Sequence, residues 1–324
     1  YVFERAIAAS ELTDIERDVA DMLARAPVTR GAPLDRDGRP ALGADCRAVD
    51  VVWVKPLADP LGGTSAARGR HPAKMIEPTP PDAAPEYVVQ QILGPLQFSD
   101  ACLRVSGHPA LLAIAETING ADMTPFHEAV WVKQARLGGS VAWHQDGFTH
   151  WATDTIDEDS HGFSFMLQLY GCNAANGLWI VPGSHRSKAD IKAMVAAAGS
   201  DRLPDAVPLI CGPGDVAMCN RQALHCSFAN TSDDVRVTIN FGFHRRKSIL
   251  GVVTGEGPNR VVFDAARIHD RSRLIMYAID ARKQRFPDET PYRYTPLAGE
   301  AERYRWTSDA RAKIKDYNLL DLFI

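Results

Sequence analysis

The sequence predicts a mainly β fold, a sandwich or barrel with helices packed outside it, and three observations predict it. From about residue 126 the chain breaks into apolar runs of strand length, at 128–135, 140–145, 163–170, 178–181, 207–211, 214–219, 224–228 and 235–243. Turn signals separate them: Gly138-Gly139, Asn176-Gly177, Pro182-Gly183 and Gly212-Pro213-Gly214. A helical region precedes them, and among them only Lys188 to Ala198 has a helical pattern.

In chain order, Ser10 to Ala24 reads as an amphipathic helix, because Ile15, Val19, Met22 and Leu23 recur at 3–4 spacing. Thr13 with Glu16 suggests a capping box, and Pro27 marks the helix end. Residues 30–48, rich in Gly, Pro and Asp, read as a loop, and Val49 to Val54 as a short strand closed by Pro56. Residues 56–86 hold seven prolines and three glycines, the composition of a long loop, and such loops are often functional covers. Ser99 to Leu103 and Pro109 to Ile118 suggest helices, the second closed by Asn119-Gly120. Beyond about 265 comes a tail with arginines at 267, 271, 273, 282 and 285, then a Pro/Tyr-rich stretch at 287–296.

Bulk properties exclude several classes. A formal net charge of −4 gives no electrostatic reason for a nucleic-acid partner. No run of 18 apolar residues occurs, so no membrane span is expected. Six cysteines without a Cys-x-x-Cys pair argue against a disulfide framework and suit a reducing cytoplasm. Cys211 and Cys219 lie in apolar strand-like runs and read as buried thiols. The first residue is a tyrosine, which leaves a targeting segment open, and the absence of heptads leaves the oligomeric state open.

The stretch Val141 to Trp151 concentrates the chemistry. On an extended backbone His144 and Asp146 point to one face, where imidazole and carboxylate can meet one metal ion, while Trp143 and Gln145 point to the other. His225, in a later strand, is the third candidate ligand. Two histidines and one carboxylate form a facial triad that leaves positions on Fe(II) open for a bidentate cosubstrate and O2. Taken alone, a His-x-Asp pair is common, and companions must decide. Arg236 is one: it lies within the apolar strand Val235 to Phe241, where burial is costly unless an anion answers the charge. A dicarboxylate cosubstrate would answer it with its distal carboxylate.

Four pieces in order resemble the phytanoyl-CoA dioxygenase family of Fe(II)/2-oxoglutarate-dependent oxygenases. They are Trp143-His-Gln-Asp146, Asn176 to Arg186, Gly212-Pro-Gly-Asp215 and His225 to Arg236, and the likeness covers about residues 95–245. The resemblance implies a double-stranded β-helix (jelly-roll, cupin-like) core with flanking helices. It implies His144, Asp146 and His225 as iron ligands and Arg236 as anchor for the 2-oxoglutarate C5 carboxylate. The implied chain is a single oxygenase domain over 1–324: helical and loop support at 1–125, the core with its metal site at 126–245, and a C-terminal extension at 246–324. Lys133 resembles a lysine that assists cosubstrate binding in some members, but a solvent-facing lysine fits it equally. Ser227, two residues from His225, is a weaker candidate beside metal or cosubstrate. Because Asp146 is a carboxylate, where halogenating relatives carry a small residue, oxygenation is favoured over halogenation.

The expected activity is hydroxylation of an aliphatic C–H of a small molecule, with release of succinate and CO2. Phe148, His150 and Trp151, just past Asp146, are candidate substrate contacts, with the acidic run 154–161 beyond them. Asn176 to Arg186 reads as architectural, with His185 and Arg186 tying down backbone. Ser184 and His185 lack the strained elbow of a hydrolase nucleophile. The tail arginines would serve the phosphates of a CoA ester, or else are scattered surface charges. The alternative from another class is a cupin-like metal-dependent isomerase or hydrolase that does not use 2-oxoglutarate.

Overall fold

Strand residues here alternate between a helical layer on one side and a cavity on the other, and that alternation places the chemistry. The computed structural model describes residues 1–47, 51–146, 161–254 and 260–321. Its strands are β1 (Val2–Phe3), β2 (Val51–Val54), β3 (Val88–Leu93), β4 (Thr124–Lys133), β5 (Val141–His144) and β6 (Gly162–Gln168). They continue with β7 (Trp179–Ile180), β8 (Val207–Pro208), β9 (Val216–Asn220), β10 (His225–Ser227) and β11 (Arg236–His244), followed by a separate two-stranded pair, β12 (Val253–Thr254) and β13 (Val261–Val262). The larger sheet runs β1-β9-β6-β11-β4-β3-β2 and the smaller β5-β10-β7-β8. Every pairing described in these sheets is antiparallel. This is the expected fold: mainly β, a double-stranded β-helix core with helices outside.

The period of two decides which side chain goes where. On β6, Phe163, Phe165 and Leu167 join the apolar core, while Ser164, Met166 and Gln168 line the cavity. On β11, Val237, Ile239, Phe241 and Phe243 join the core, and Arg236, Thr238 and Asn240 line the cavity. The same core takes Ile15, Val19 and Met22 from the helix Ala9–Ala24, and Leu274 to Ala278 from the helix Ala265–Arg285. Phe165 is fully buried, and truncating such a phenylalanine to alanine costs about 3–5 kcal/mol.

The eight strands expected beyond residue 126 all form, within a few residues of their expected ends. The short β1 and the fully paired β3 (Val-Val-Gln-Gln-Ile-Leu) escape sequence reading, because the two glutamines break the apolar run. Ser99 caps the helix Asp100–Ser106, its Oγ accepting from the Cys102 N–H at 2.9 Å. The Thr13–Glu16 capping box does not form. That helix begins at Ala9, so Thr13 sits a turn inside and donates its hydroxyl to the Ala9 carbonyl at 3.2 Å.

The tail is where expectation and structure part. Residues 265–285 form one helix, and its arginines divide: Arg271 and Arg282 are buried in ion pairs, whereas Arg273 and Arg285 keep 36% and 51% of their side chains exposed, as scattered surface charges would. Arg271 is 3% exposed and pairs with Glu128 and Asp321. Arg282 is 4% exposed and pairs with Glu11 and Glu289. Arg267 donates to the Leu320 carbonyl at 3.1 Å, Arg273 pairs with Asp270 and Arg285 with Asp14. A helix whose buried face includes arginines lacks the apolar stripe that betrays a helix in sequence. All six cysteines are free, and Cys211 and Cys219 are buried as expected. Among the described residues no helix is long and apolar enough to cross a membrane.

Candidate active site

The cavity between the sheets is open to solvent, and its empty space together with that open mouth is about 1150 Å³. Its walls come from β4, β6, β9 and β11 of the larger sheet and from β5 and β10 of the smaller. His144 ends β5, and His225 begins β10 directly opposite it in the antiparallel register. That cross-strand pairing brings the imidazoles together, with ring centroids 4.1 Å apart. Asp146 follows two residues after His144, where the chain bends out of the strand, and its Oδ1 lies 3.7 Å from His144 Nε2. One potential ligand atom from each of His144, Asp146 and His225 lies within 4.8 Å of the other two.

Their hydrogen bonds prepare these atoms. His144 Nδ1 lies 2.8 Å from the Ala142 carbonyl, and His225 Nδ1 lies 2.8 Å from the Ala223 carbonyl. A carbonyl can only accept, so each Nδ1 carries a proton, and Nε2 is the nitrogen left to ligate a metal. Burial, then the neighbouring His225 and His71, push the His144 pKa well below 6.5, so this ring is neutral. Burial raises the pKa of Asp146, but the charge of Arg70 foremost outweighs it and holds the carboxylate below its usual range. Two imidazoles that each commit Nδ1 to a backbone carbonyl and turn Nε2 toward an ionised carboxylate are the donor set of a 2-His-1-carboxylate metal site, so the residues fit that group.

The residues behind the pair are rigid. Trp143 is fully buried and donates its indole N–H to the Asp201 carbonyl at 2.7 Å. Gln145 donates to the carbonyls of Ser184, Ser187 and Gln222 at 2.7–3.0 Å. Ser184, rather than His185 or Arg186, ties the Asn176–Arg186 stretch down, its Oγ accepting from the Leu224 N–H at 2.7 Å.

Arg236 opens β11, lines the cavity and is 6% exposed. Its Nη1 donates to the Asn176 carbonyl at 3.0 Å, while the buried Nε has no partner among the described residues. Burial lowers its pKa to about 10, which leaves it charged at neutral pH. Lys133 faces Arg236 across the β4–β11 pair and is buried, donating to Ser227 Oγ at 2.9 Å and to the Phe228 carbonyl. The solvent-facing reading of Lys133 is therefore wrong: the register points it inward with Arg236. Ser227 is buried and lines the cavity. Phe148, His150 and Trp151 lie outside the described residues, as do residues 154–160 of the acidic run.

Four cavity residues escape sequence reading. Arg70 and His71 come from the proline-rich 56–86 loop, which does cover the cavity. Arg70 pairs with Asp146 at 3.0 Å. His71 packs on His144 with centroids 4.2 Å apart, and its Nδ1 lies 2.9 Å from the Ala142 carbonyl that His144 also uses. His127 has φ +50° at the point where β4 and β11 lose register, a bulge that re-aims a side chain. Its N–H donates to Asp321 at 3.0 Å. Arg221 sits in the β9–β10 turn. Nothing local marks His127 in sequence, whereas Arg221, four residues before His225, offered a faint signal.

The phytanoyl-CoA dioxygenase (PhyH) family model matches residues 69–238, just over half of the chain. The chain belongs to the phytanoyl-CoA dioxygenase family. Among similar curated proteins is the L-proline trans-4-hydroxylase of Streptomyces griseoviridis, 28% identical over 174 residues. The match takes in 51% of this chain and 62% of that relative's length. Among solved structures, EctD from S. alaskensis with 2-oxoglutarate and 5-hydroxyectoine superposes with a TM-score of 0.51 at 18% identity, covering 77% of this chain and 73% of EctD. EctD with bound Fe gives 0.50 at 17%, covering 76% and 73%. At that identity the two EctD structures speak for the shared fold.

Proposed function

We propose that the chain is an Fe(II)- and 2-oxoglutarate-dependent dioxygenase that hydroxylates an aliphatic C–H of a small molecule. The carrying observation is the convergence of His144, Asp146 and His225 with both histidine Nδ1–H groups committed to backbone carbonyls. In this reading His144 and His225 hold the metal through Nε2 and Asp146 through its carboxylate, with Arg70 orienting that carboxylate from behind. When bound, Fe(II) supplies the oxidation, in which 2-oxoglutarate and O2 are consumed, succinate and CO2 leave, and a C–H becomes an alcohol. Arg236 anchors the distal carboxylate of 2-oxoglutarate through its Nε edge. Lys133 and Ser227 form the buried polar floor beside it and exclude water. Family membership supports this reading, as does the relative named for hydroxylating L-proline, a free small molecule.

The test is an anaerobic titration of metal-free protein with Fe(II) and then 2-oxoglutarate, watching for the weak visible charge-transfer band of the chelate. A band in wild type that is lost in His225→Ala supports cofactor and ligand together. Metal binding without a band would remove 2-oxoglutarate from the proposal, and no metal binding would end it.

A further inference from the structure

Beyond the metal triad and Arg236, the cavity keeps a cation that the cofactor reading leaves unused. Arg221 lines the cavity and is 8% exposed. Its side chain stacks on Phe126, with the guanidinium carbon 4.1 Å from the ring centroid. Its Nη1 lies 3.3 Å from His244 Nε2 and 3.4 Å from Nδ1. No carboxylate among the described residues pairs with it. Its backbone is pinned on both sides, the N–H donating to the Gly162 carbonyl at 3.3 Å and the carbonyl accepting from the Asp146 N–H at 2.9 Å. The backbone is thus tied to that of Asp146, and the head group is held between Phe126 and His244 in the wall of the same cavity.

A buried guanidinium without a counter-charge is costly, so its retention calls for an anion. Asp146 and Asp321 act on Arg221 only at a distance, and each is engaged by another arginine, Arg70 and Arg271 respectively. Charge bookkeeping over the cavity points the same way. Arg70, Arg221 and Arg236 line it against one carboxylate, Asp146, among the described residues. A metal dication and a dicarboxylate cosubstrate cancel each other and leave that positive surplus in place. We propose that Arg221 is the receptor for a carboxylate on the substrate, so that the enzyme acts on a small organic acid, amino acids included. The inference rests on the cofactor reading above, because that reading assigns Arg236 to 2-oxoglutarate and leaves Arg221 for the substrate. Phe126 and His244 hold the guanidinium plane, and the planar fork suits a carboxylate better than a neutral amide.

The experiment uses full-length protein saturated with Mn(II) and 2-oxoglutarate, so that Arg236 is occupied. Sodium propionate and propionamide, alike in shape but not in charge, are titrated separately at matched ionic strength while the melting temperature is followed. Propionate should stabilise the protein at concentrations about tenfold lower than propionamide, the worth of one charge-assisted contact. Arg221→Gln should erase that difference. Equal effects of the two ligands on wild type overturn the proposal, and this comparison stands alone if the variant does not fold. A propionate preference that survives Arg221→Gln overturns it as well, since an arginine serving only structure would lower the melting temperature without touching ligand choice. If 2-oxoglutarate does not stabilise the Mn(II) protein, the cosubstrate reading fails separately. The same two titrations on metal-free Arg236→Gln protein then still decide the role of Arg221.

Discussion

Replacing Arg236 by glutamine removes the proposed cosubstrate anchor while keeping a polar side chain of similar reach. Nη1 is committed to the Asn176 carbonyl, which fixes the guanidinium plane and presents the Nε edge, where Nε lies buried without a partner among the described residues. A carboxylate meeting that edge makes two charge-assisted hydrogen bonds, with a combined net worth of about 3 kcal/mol. That corresponds to about two orders of magnitude in Kd. The charge-transfer band, titrated with 2-oxoglutarate under argon at fixed Fe(II), reads this Kd directly. The saturating band should keep its intensity in Arg236→Gln, because the 2-oxo-acid end is held by metal, while its midpoint moves to far higher cosubstrate. Arg236→Lys should fall between, keeping the charge and losing the fork. A midpoint within about threefold of wild type would refute the assignment, since it is far smaller than the loss of two such bonds.

Three further outcomes follow from the packing. Arg271→Met leaves Glu128 and Asp321 buried without their cation and should cost about 3–5 kcal/mol in urea unfolding, a loss under about 1 kcal/mol arguing against the network. Gly107→Ala would place a Cβ 2.4 Å from the Ala278 backbone carbonyl, so the helices must separate. Overpacking of that kind costs about 1–3 kcal/mol, and an unchanged denaturation midpoint would contradict it. Burial first, and then Arg282, hold the His108 pKa below its ordinary 6.5, so folding favours the neutral ring. That contribution is full above pH 6.5 and is lost as pH falls through the lowered folded value. His108→Gln should therefore flatten the acid side of a melting-temperature profile, and an unchanged slope would show that the ring does not titrate with folding.

How much was legible in sequence depended on how local the cause was. Strands β4 to β11 were legible because alternation and turn residues are properties of neighbours in the chain. His144 and Asp146 were legible as a pair for the same reason, and Arg236 because a charge inside an apolar strand violates the pattern. The structure adds that the alternation is two-sided. Phe163, Phe165 and Leu167 face the helices, and Ser164, Met166 and Gln168 face the cavity.

What the sequence by itself determined, then, was the mainly β core, its turns and the residues able to form a triad. Tertiary structure alone decided the rest. The β5–β10 register sets His225 opposite His144, and the β4–β11 register turns Lys133 inward beside Arg236. The 56–86 loop folds over the cavity and delivers Arg70 to Asp146. Arg271 and Arg282 find carboxylates far along the chain, at Glu128 and Asp321 and at Glu11. Each of these depends on groups distant in sequence meeting in a poorly hydrated interior, where a charge must find its partner or not be buried at all.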